Sequence, residues 1–182
     1  MSAIAEAVAQ CWGSKTNERV IEYCRHNNLS ADGLRLAVLI QRIIPADISA
    51  VAFSLHPASG SPEQVVINAS WGLGESIVSG RVNPDMYVLR KADLNVVERR
   101  IEEKHTMVVL ARSGTREMRV PRFFRKQPAL TDRQTIEIAE LAMSLEERMK
   151  YPVDIECAFD GDDLFLLQCR PIATTDPKRR PI

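Results

Sequence analysis

Apolar residues recur at helical spacing in three stretches of the chain, residues 2–12, 17–27 and roughly 132–150. In the third stretch, Thr131 directly precedes the periodic run and is the N-cap candidate. The apolar stripe of that helix consists of Ile136, Ile138, Ala139, Leu141, Ala142, Leu145 and Met149. The pattern therefore predicts helices towards both ends of the chain.

Short runs of apolar residues alternate with turn residues between these helices. The densest run, residues 35–44, is aliphatic, ends before Pro45 and is typical of a buried strand. Six more strands are predicted, at residues 50–55, 64–69, 86–91, 95–101, 106–111 and 117–120. Because the connecting turns are short, we expect a largely antiparallel sheet flanked by helices, which is an α+β layer structure.

The last two predicted strands, residues 153–159 and 164–170, form a hairpin around an acidic turn that contains one glycine. A three-residue loop centred on Asp162 is expected to pair Asp160 with Leu164. Counting outward from that pair along both strands gives the register of the hairpin.

In this register Glu156 lies opposite Gln168, and Asp154 lies opposite Arg170. Since side chains alternate across a strand, the two faces of the hairpin differ. One face is apolar and is expected to join the core: Ile155, Cys157, Phe159, Phe165, Leu167 and Cys169. The other face is apolar near the turn and polar at its far end: Asp154, Glu156, Ala158, Leu166, Gln168 and Arg170.

The polar end of this second face allows two interpretations. It is either a solvated sheet surface with weak cross-strand ion pairs, or one wall of a ligand site. The carboxylate of Glu156 beside the amide oxygen of Gln168 offers the hard oxygen ligands that Mg²⁺ prefers. The guanidinium of Arg170 can bind phosphate through two donors. The pattern alone does not decide between the two.

Two loops carry further candidate residues. The segment 68–75, Asn-Ala-Ser-Trp-Gly-Leu-Gly-Glu, follows a strand, and its glycines allow a tight turn and close approach to a ligand. It is neither a GxGxxG fingerprint nor a Walker loop, and taken alone it is read as a structural turn. The segment 55–60 connects two strands, and His56 in it is read as a surface-loop residue.

Composition and charge argue against a nucleic-acid-binding protein, a membrane-spanning protein and a zinc protein. The 182 residues suit one domain, and 24 basic and 24 acidic residues cancel, which gives no global field towards nucleic acid or an anionic membrane. No apolar stretch approaches the roughly 20 residues of a membrane span, and without an export signal the expected location is the cytoplasm. The four cysteines lack zinc-type spacing and are expected to be reduced, buried thiols.

As an ordered set, four segments resemble the nucleotide-binding domain shared by phosphoenolpyruvate synthase, pyruvate phosphate dikinase and rifampicin phosphotransferase, which has an ATP-grasp fold. The segments are CWGSKTNERVIEYCR, AVLIQRIIPADISAVAFSLHPASG, INASWGLGESIVSGRVNPDMYVLRK and DIECAFDGDDLFLLQCRPI. The resemblance implies one partial domain, with residues 1–30 as a helical entry segment, 31–172 as its core and 173–182 as a tail or linker.

The resemblance also implies roles for individual residues. Gln41 and the backbone through Ile43 match the hinge that meets the adenine. Glu156 and Gln168 match residues that bind metal and nucleotide, and Arg170 matches an arginine that acts on the phosphates. The implied ligands are ATP and Mg²⁺, and the implied reaction passes phosphoryl groups of ATP to a histidine, which ends up carrying the β-phosphate.

Other parts of that family have no counterpart here. The resemblance implies that the chain is roughly the second half of the ATP-grasp domain, so that a lysine, an arginine and a glycine-rich lid on the phosphates would come from a first half. It also implies a partner domain with the phosphohistidine, supplied in cis or in trans. Two hypotheses follow: a phosphotransferase segment that needs these parts and is inactive alone, or a non-catalytic descendant that acts as a binding or regulatory module.

Overall fold

The computed structural model describes residues 2–26, 29–30, 33 and 35–172. The predicted tail, residues 173–182, lies outside these ranges. The chain divides into two compact units, Met1–Ile43 and Ile44–Ile182. The assignment of residues 1–182 to a single partial domain, with 173–182 as its tail or linker, stays a prediction.

The first unit contains the two predicted entry helices, α1 (Ala3–Gly13) and α2 (Glu18–His26), joined by a 3-10 turn at Ser14–Thr16. The hydroxyl of Ser2 caps α1 by accepting the N–H of Ala5 at 3.4 Å. No residue of α1 is buried, and α2 buries only Cys24. The helices therefore form as predicted, with little core of their own.

The predicted buried strand at residues 35–44 is wrong. This segment has no regular secondary structure, and the side chains of Leu39 and Ile40 are 83% and 65% exposed. An aliphatic run is buried as a strand only where neighbouring strands supply hydrogen bonds and cover, and among the described residues no strand pairs with it. The run is instead an exposed apolar segment.

The second unit contains one six-stranded sheet and a separate two-stranded ribbon. In chain order its elements are β1 (Ile48–Phe53), β2 (Gln64–Trp71), α3 (Glu75–Val78), β3 (Asp85–Arg90), β4 (Val96–Arg100), β5 (Thr106–Leu110), β6 (Thr115–Arg119), α4 (Asp132–Met149), β7 (Val153–Asp160) and β8 (Asp163–Pro171). The sheet order is β4-β3-β2-β1-β7-β8, and β5 pairs with β6. Every strand pair is antiparallel, so the predicted α+β class with an antiparallel sheet and flanking helices is confirmed.

The main core lies between one face of this sheet and α4. Ile138, Ala139 and Ala142 of the helix are fully buried, as the predicted stripe requires. They pack in one cluster with strand residues that include Ala52, Ile67, Tyr87, Leu89, Ile155 and Phe159. The opposite face of the sheet, which carries Ser49, Val51 and Phe53 of β1 and Asp154, Glu156 and Ala158 of β7, is called the site face below.

Thr131 caps α4 as predicted. Its hydroxyl oxygen accepts the N–H of Gln134, and the side-chain oxygen of Gln134 accepts the N–H of Thr131, which makes a capping box. A Thr131→Ala substitution should lower the free energy of unfolding by about 1 kcal/mol, measured by urea denaturation. Thr131→Ser keeps the hydroxyl and is the control; an equal loss in both variants would contradict the capping role.

The closing hairpin has the predicted pairs at its polar end but a different turn. Asp160 pairs with Asp163, so the loop contains two residues, Gly161 and Asp162, where a three-residue loop was predicted. Gly161 has φ +60° at the loop position where a type II′ turn takes glycine. A bulge then offsets the error: between the pairs Glu156–Gln168 and Cys157–Leu166, β8 has one extra residue.

Because of this bulge, the β8 residues between the turn and the bulge lie on different faces from those predicted. Leu164 and Leu166 lie opposite Phe159 and Cys157, on the core side, whereas Phe165 lies opposite Ala158 on the site face. Leu167, predicted in the main core, packs instead in a second apolar cluster with Ala46, Leu73, Val108 and Ala158. The prediction was therefore wrong for Phe165, Leu166 and Leu167, because it assumed unbroken alternation.

All four cysteines are free, but they differ in burial. Cys24 and Cys157 are buried, Cys169 is half-buried and Cys11 is exposed, so the expectation of buried thiols is wrong for Cys11. Burial raises the pKa of the Cys157 thiol to about 12. Cys157 is therefore an uncharged core residue at neutral pH.

Candidate functional site

The polar end of the closing hairpin brings three of the predicted site residues together. Glu156 on β7 lies directly opposite Gln168 on β8, and Arg170 follows two residues further along β8, opposite Asp154. Residues directly opposite in an antiparallel pair share one face, with Cβ atoms about 4.5–5.5 Å apart. The oxygens of Glu156 and Gln168 can therefore approach one ion or ligand.

Arg170 is held in place by Asp154. The guanidinium Nε donates to Asp154 Oδ2 at 2.8 Å, and the side chains of Arg170 and Asp154 are 54% and 10% exposed. This hydrogen bond, and then the Asp154 charge, raise the pKa of Arg170 above its usual range, and the charge of Glu156 adds to the effect. The two Nη groups have no partner among the described residues, so they remain available to an anion.

Asp154 itself is incompletely satisfied. Its Oδ1 atom is buried and has no hydrogen-bond partner in the described part of the chain. An unpaired buried carboxylate oxygen is costly, and a cation or a water at this position would satisfy it. The atom lies on the same face as Glu156, two residues away on β7.

The donor set fits a magnesium ion that is shared with a substrate. Across residues 2–26 and 35–172, no three His, Cys, Asp or Glu side chains converge to form a complete protein cage for a metal. Mg²⁺ rarely uses such cages, because it is usually held by one or two protein oxygens together with waters and substrate phosphates. Glu156 and Gln168 supply an oxygen pair of that kind.

An apolar cluster lies next to this polar group. Ala158 and Leu167 pack there with Ala46, Leu73 and Val108, and Ala158 follows Glu156 by two residues on the same face. The site face of the hairpin therefore changes from apolar at Ala158 to polar at Glu156 and cationic at Arg170.

The two predicted hinge residues belong to the other unit. Gln41 and Ile43 lie in the exposed segment that precedes the second unit, and Ile43 is 49% exposed. Their predicted contact with adenine stays a prediction. The segment leads in sequence to Ala46, which is a member of the apolar cluster.

The glycine-containing loop has a structural role that its sequence did not specify. Gly72 has φ +79° and forms a parallel bridge with Val108 of β5, and the N–H of Leu73 donates to the Val108 carbonyl at 2.8 Å. The carbonyl of Gly72 accepts from the Ser49 hydroxyl at 2.7 Å. This loop therefore fastens the β5–β6 ribbon to the end of the sheet beside Ala158.

Glu75 and His56 have local partners. Glu75 begins the short helix α3 and lies 3.5 Å from Arg81 in an exposed ion pair. His56 Nδ1 accepts the N–H groups of Ala58 and Ser59, both at 3.3 Å, and so closes its own loop. These contacts agree with the structural readings of both loops.

Comparisons with known proteins place this chain in a family. The family model described as "Pyruvate phosphate dikinase, AMP/ATP-binding domain" matches residues 1–181. Rifampicin phosphotransferase from Streptomyces sviceus is 37% identical over 177 residues, which cover 97% of this chain and 20% of that protein. Phosphoenolpyruvate synthase from Pyrococcus furiosus is 34% identical over 181 residues, which cover 94% of this chain and 22% of that protein.

The chain spans about a fifth of the length of these curated relatives. The resemblance noted in the sequence is confirmed at the level of the family, and that the chain is the second half of the domain stays a prediction. No helix within the described residues has the length and apolar character needed to cross a membrane.

Proposed function

Because this chain belongs to the family of the pyruvate phosphate dikinase AMP/ATP-binding domain, we propose that it binds ATP with Mg²⁺ on the site face of its closing hairpin, as part of an ATP-grasp fold. The observation that carries the proposal is the opposition of Glu156 and Gln168, with Arg170 beside them. The anchoring of Arg170 by Asp154 at 2.8 Å supports it, since a positioned arginine loses less freedom when it binds phosphate.

The change of chemistry along the hairpin suggests how the nucleotide lies. The adenine would lie towards the apolar cluster at Ala158 and Leu167, and the predicted hinge of Gln41 and Ile43 leads in sequence to that cluster. The phosphates would lie towards Arg170, whose Nη groups can form two parallel hydrogen bonds to phosphate oxygens.

Glu156 and Gln168 are the residues that would hold the magnesium ion. Bound there, the ion would neutralise charge on the phosphate oxygens, which is the main requirement of phosphoryl transfer. Arg170 would offset the remaining negative charge, and Asp154 would keep the guanidinium oriented. These residues position the ATP and balance its charge, and none of them is proposed as a nucleophile.

The two relatives named above, a phosphotransferase and a synthase, are about five times as long as this chain. We therefore propose that the chain acts as the ATP-binding part of a larger enzyme. The phosphoryl group would pass to a histidine on a separate domain. The first half of the ATP-grasp domain would close the site, and both parts could be supplied in cis or in trans. The 182 residues alone are expected to bind ATP weakly and to turn over nothing.

Calorimetric titration of the chain with Mg·ATP tests this proposal. Glu156→Ala should weaken binding by at least about 10-fold, because it removes half of the oxygen pair, and chelation of Mg²⁺ should weaken binding of the parent chain. Glu140→Ala, on the helix that covers the opposite face, is the control and should bind as the parent does.

Two results would count against the proposal. Unchanged binding by Glu156→Ala would show that the nucleotide lies elsewhere. No binding by the parent chain, even with the upstream fragment of a relative added, would favour the alternative of a non-catalytic binding or regulatory module.

A further inference from the structure

One row of side chains crosses the site face from the closing hairpin to the far strands. The register places Gln168 of β8, Glu156 of β7, Val51 of β1, Asn68 of β2 and Met86 of β3 opposite one another in turn. Ile67 and Ala69, the neighbours of Asn68 on β2, are fully buried in the main core. Because side chains alternate, Asn68 is directed to the site face.

On β7 and β2 this row is more accessible than the residues on either side of it. On one side, Val66 and Val88 are only 3% and 2% exposed. On the other side, Ser70 and Ala158 are each 1% exposed. The row of Glu156 and Asn68 is half-buried, so a ligand seated on Glu156 can extend along it towards Asn68.

Polar groups along this part of the sheet lack partners. The side-chain amide of Asn68 makes no hydrogen bond to any described residue. Ser70 Oγ, on the same face of β2, is buried without a partner among those residues, as is Asp154 Oδ1 on β7. Buried polar atoms of folded proteins are nearly always paired, so two unpaired atoms flanking the accessible row indicate a polar ligand or ordered water there.

We propose that Asn68 is a nucleotide-contacting residue, whose side-chain amide hydrogen-bonds an oxygen of the ATP held by Glu156 and Gln168. The proposal rests on the proposed function. The backbone of Asn68 lies two strands from that of Glu156, about 9.6 Å away across the sheet. It is within the reach of an extended nucleotide.

An amide both donates and accepts, so it suits either a phosphate oxygen or a ribose hydroxyl. Two probes distinguish a phosphate contact from a ribose contact. Mg·tripolyphosphate carries only the phosphate oxygens, and adenosine carries only the ribose and the base.

Nuclear magnetic resonance of the ¹⁵N-labelled chain tests the contact directly. The side-chain amide signal of Asn68, assigned by its loss in Asn68→Asp, should shift on titration with Mg·ATP. A shift with Mg·tripolyphosphate identifies a phosphate contact, and a shift with adenosine identifies a ribose contact. Asn95 is the control, because its amide is already bonded to Asp93 at 2.7 Å in a turn and should not move.

The affinity for Mg·ATP gives an independent measure of the Asn68 contact. Asn68→Ala should weaken Mg·ATP binding by about 2- to 12-fold, the effect of one hydrogen bond. If the backbone signals of Gln168 and Arg170 shift with Mg·ATP while the Asn68 amide does not, the inference is overturned and the proposed function stands. If no signal of the chain shifts, the proposed function fails and this inference fails with it.

Discussion

A Lys104→Met variant is expected to unfold with a free energy about 3–5 kcal/mol lower than that of the parent chain. Lys104 and Asp85 form an ion pair in which both side chains are 0% exposed. The remaining oxygens and protons are also used: Asp85 accepts the N–H groups of Glu102 and Ala129 at 2.9 and 2.7 Å. Removing the lysine leaves a buried carboxylate without its counter-charge, which is the costly case.

Tyr87 belongs to the same network. Burial raises the pKa of its phenol to about 12, so the phenol stays protonated at neutral pH. The hydroxyl donates to Asp85 at 3.5 Å and accepts the N–H of Leu130 at 3.3 Å. Asp85 therefore ties the start of β3 to residues 102–104 and to the segment that leads into α4, and a loss there weakens the whole second unit.

The loss can be measured by urea denaturation, followed by the fluorescence of Trp71 in a Trp12→Phe background so that only the second unit reports. Lys126→Met is the matched control, because Lys126 is 78% exposed and its ion pair with Glu103 spans 3.5 Å; it should change stability by less than about 1 kcal/mol. Adding Asp85→Asn to Lys104→Met removes the stranded charge and should recover part of the loss. Equal small effects at Lys104 and Lys126 would contradict the buried-pair argument.

Nothing in the local sequence marked Lys104 as buried. It lies in the polar segment Glu-Glu-Lys-His, where a solvated lysine is the ordinary expectation. Its burial depends on Asp85, 19 residues earlier, and on the segment around Ala129. Charge pairs of this kind are set by tertiary structure, and periodicity does not detect them.

The closing hairpin shows what alternation can and cannot predict. The pairs Glu156–Gln168 and Asp154–Arg170 were predicted correctly from a loop that was one residue too long, because the bulge in β8 restores the count. Between the turn and the bulge the same reasoning placed Phe165 and Leu166 on the wrong faces. A bulge is set by contacts between strands, and a single strand pattern does not reveal it.

At two other segments the prediction also lacked information on tertiary contacts. The run at 35–44 is apolar enough for a core strand, but hydrophobicity does not say which element would cover it, and here its side chains are exposed. Asn68 was noted only as the first residue of the glycine-containing segment 68–75, because the two faces of the preceding strand were not assigned. Its place between the core residues Ile67 and Ala69 was the available signal, since a polar residue between two core positions points to the other face.

A Gly72→Ala variant is expected to lose about 2–4 kcal/mol of unfolding free energy and to displace the β5–β6 ribbon. A Cβ atom on residue 72 would lie 2.3 Å from the Val108 carbonyl oxygen and 3.3 Å from Met107 Cβ, and the backbone has φ +79°. The positive φ alone costs about 1–3 kcal/mol in a non-glycine residue. Relieving the clash would also break the Leu73–Val108 hydrogen bond, worth about 1 kcal/mol.

Gly114→Ala separates these two contributions. Gly114 lies in the turn of the same ribbon with φ +75°, and a Cβ there would meet no atom within 4 Å, so its substitution should cost only the conformational strain. Urea denaturation of both variants gives the difference, and loss of hydrogen-exchange protection at the Leu73 amide would report the displaced ribbon. Equal losses for the two variants would mean that the close approach of Gly72 to Val108 does not hold the ribbon beside Ala158. A larger loss for Gly72→Ala, accompanied by weaker Mg·ATP binding, would connect the glycine loop to the site through packing, without any contact between the loop and the phosphates.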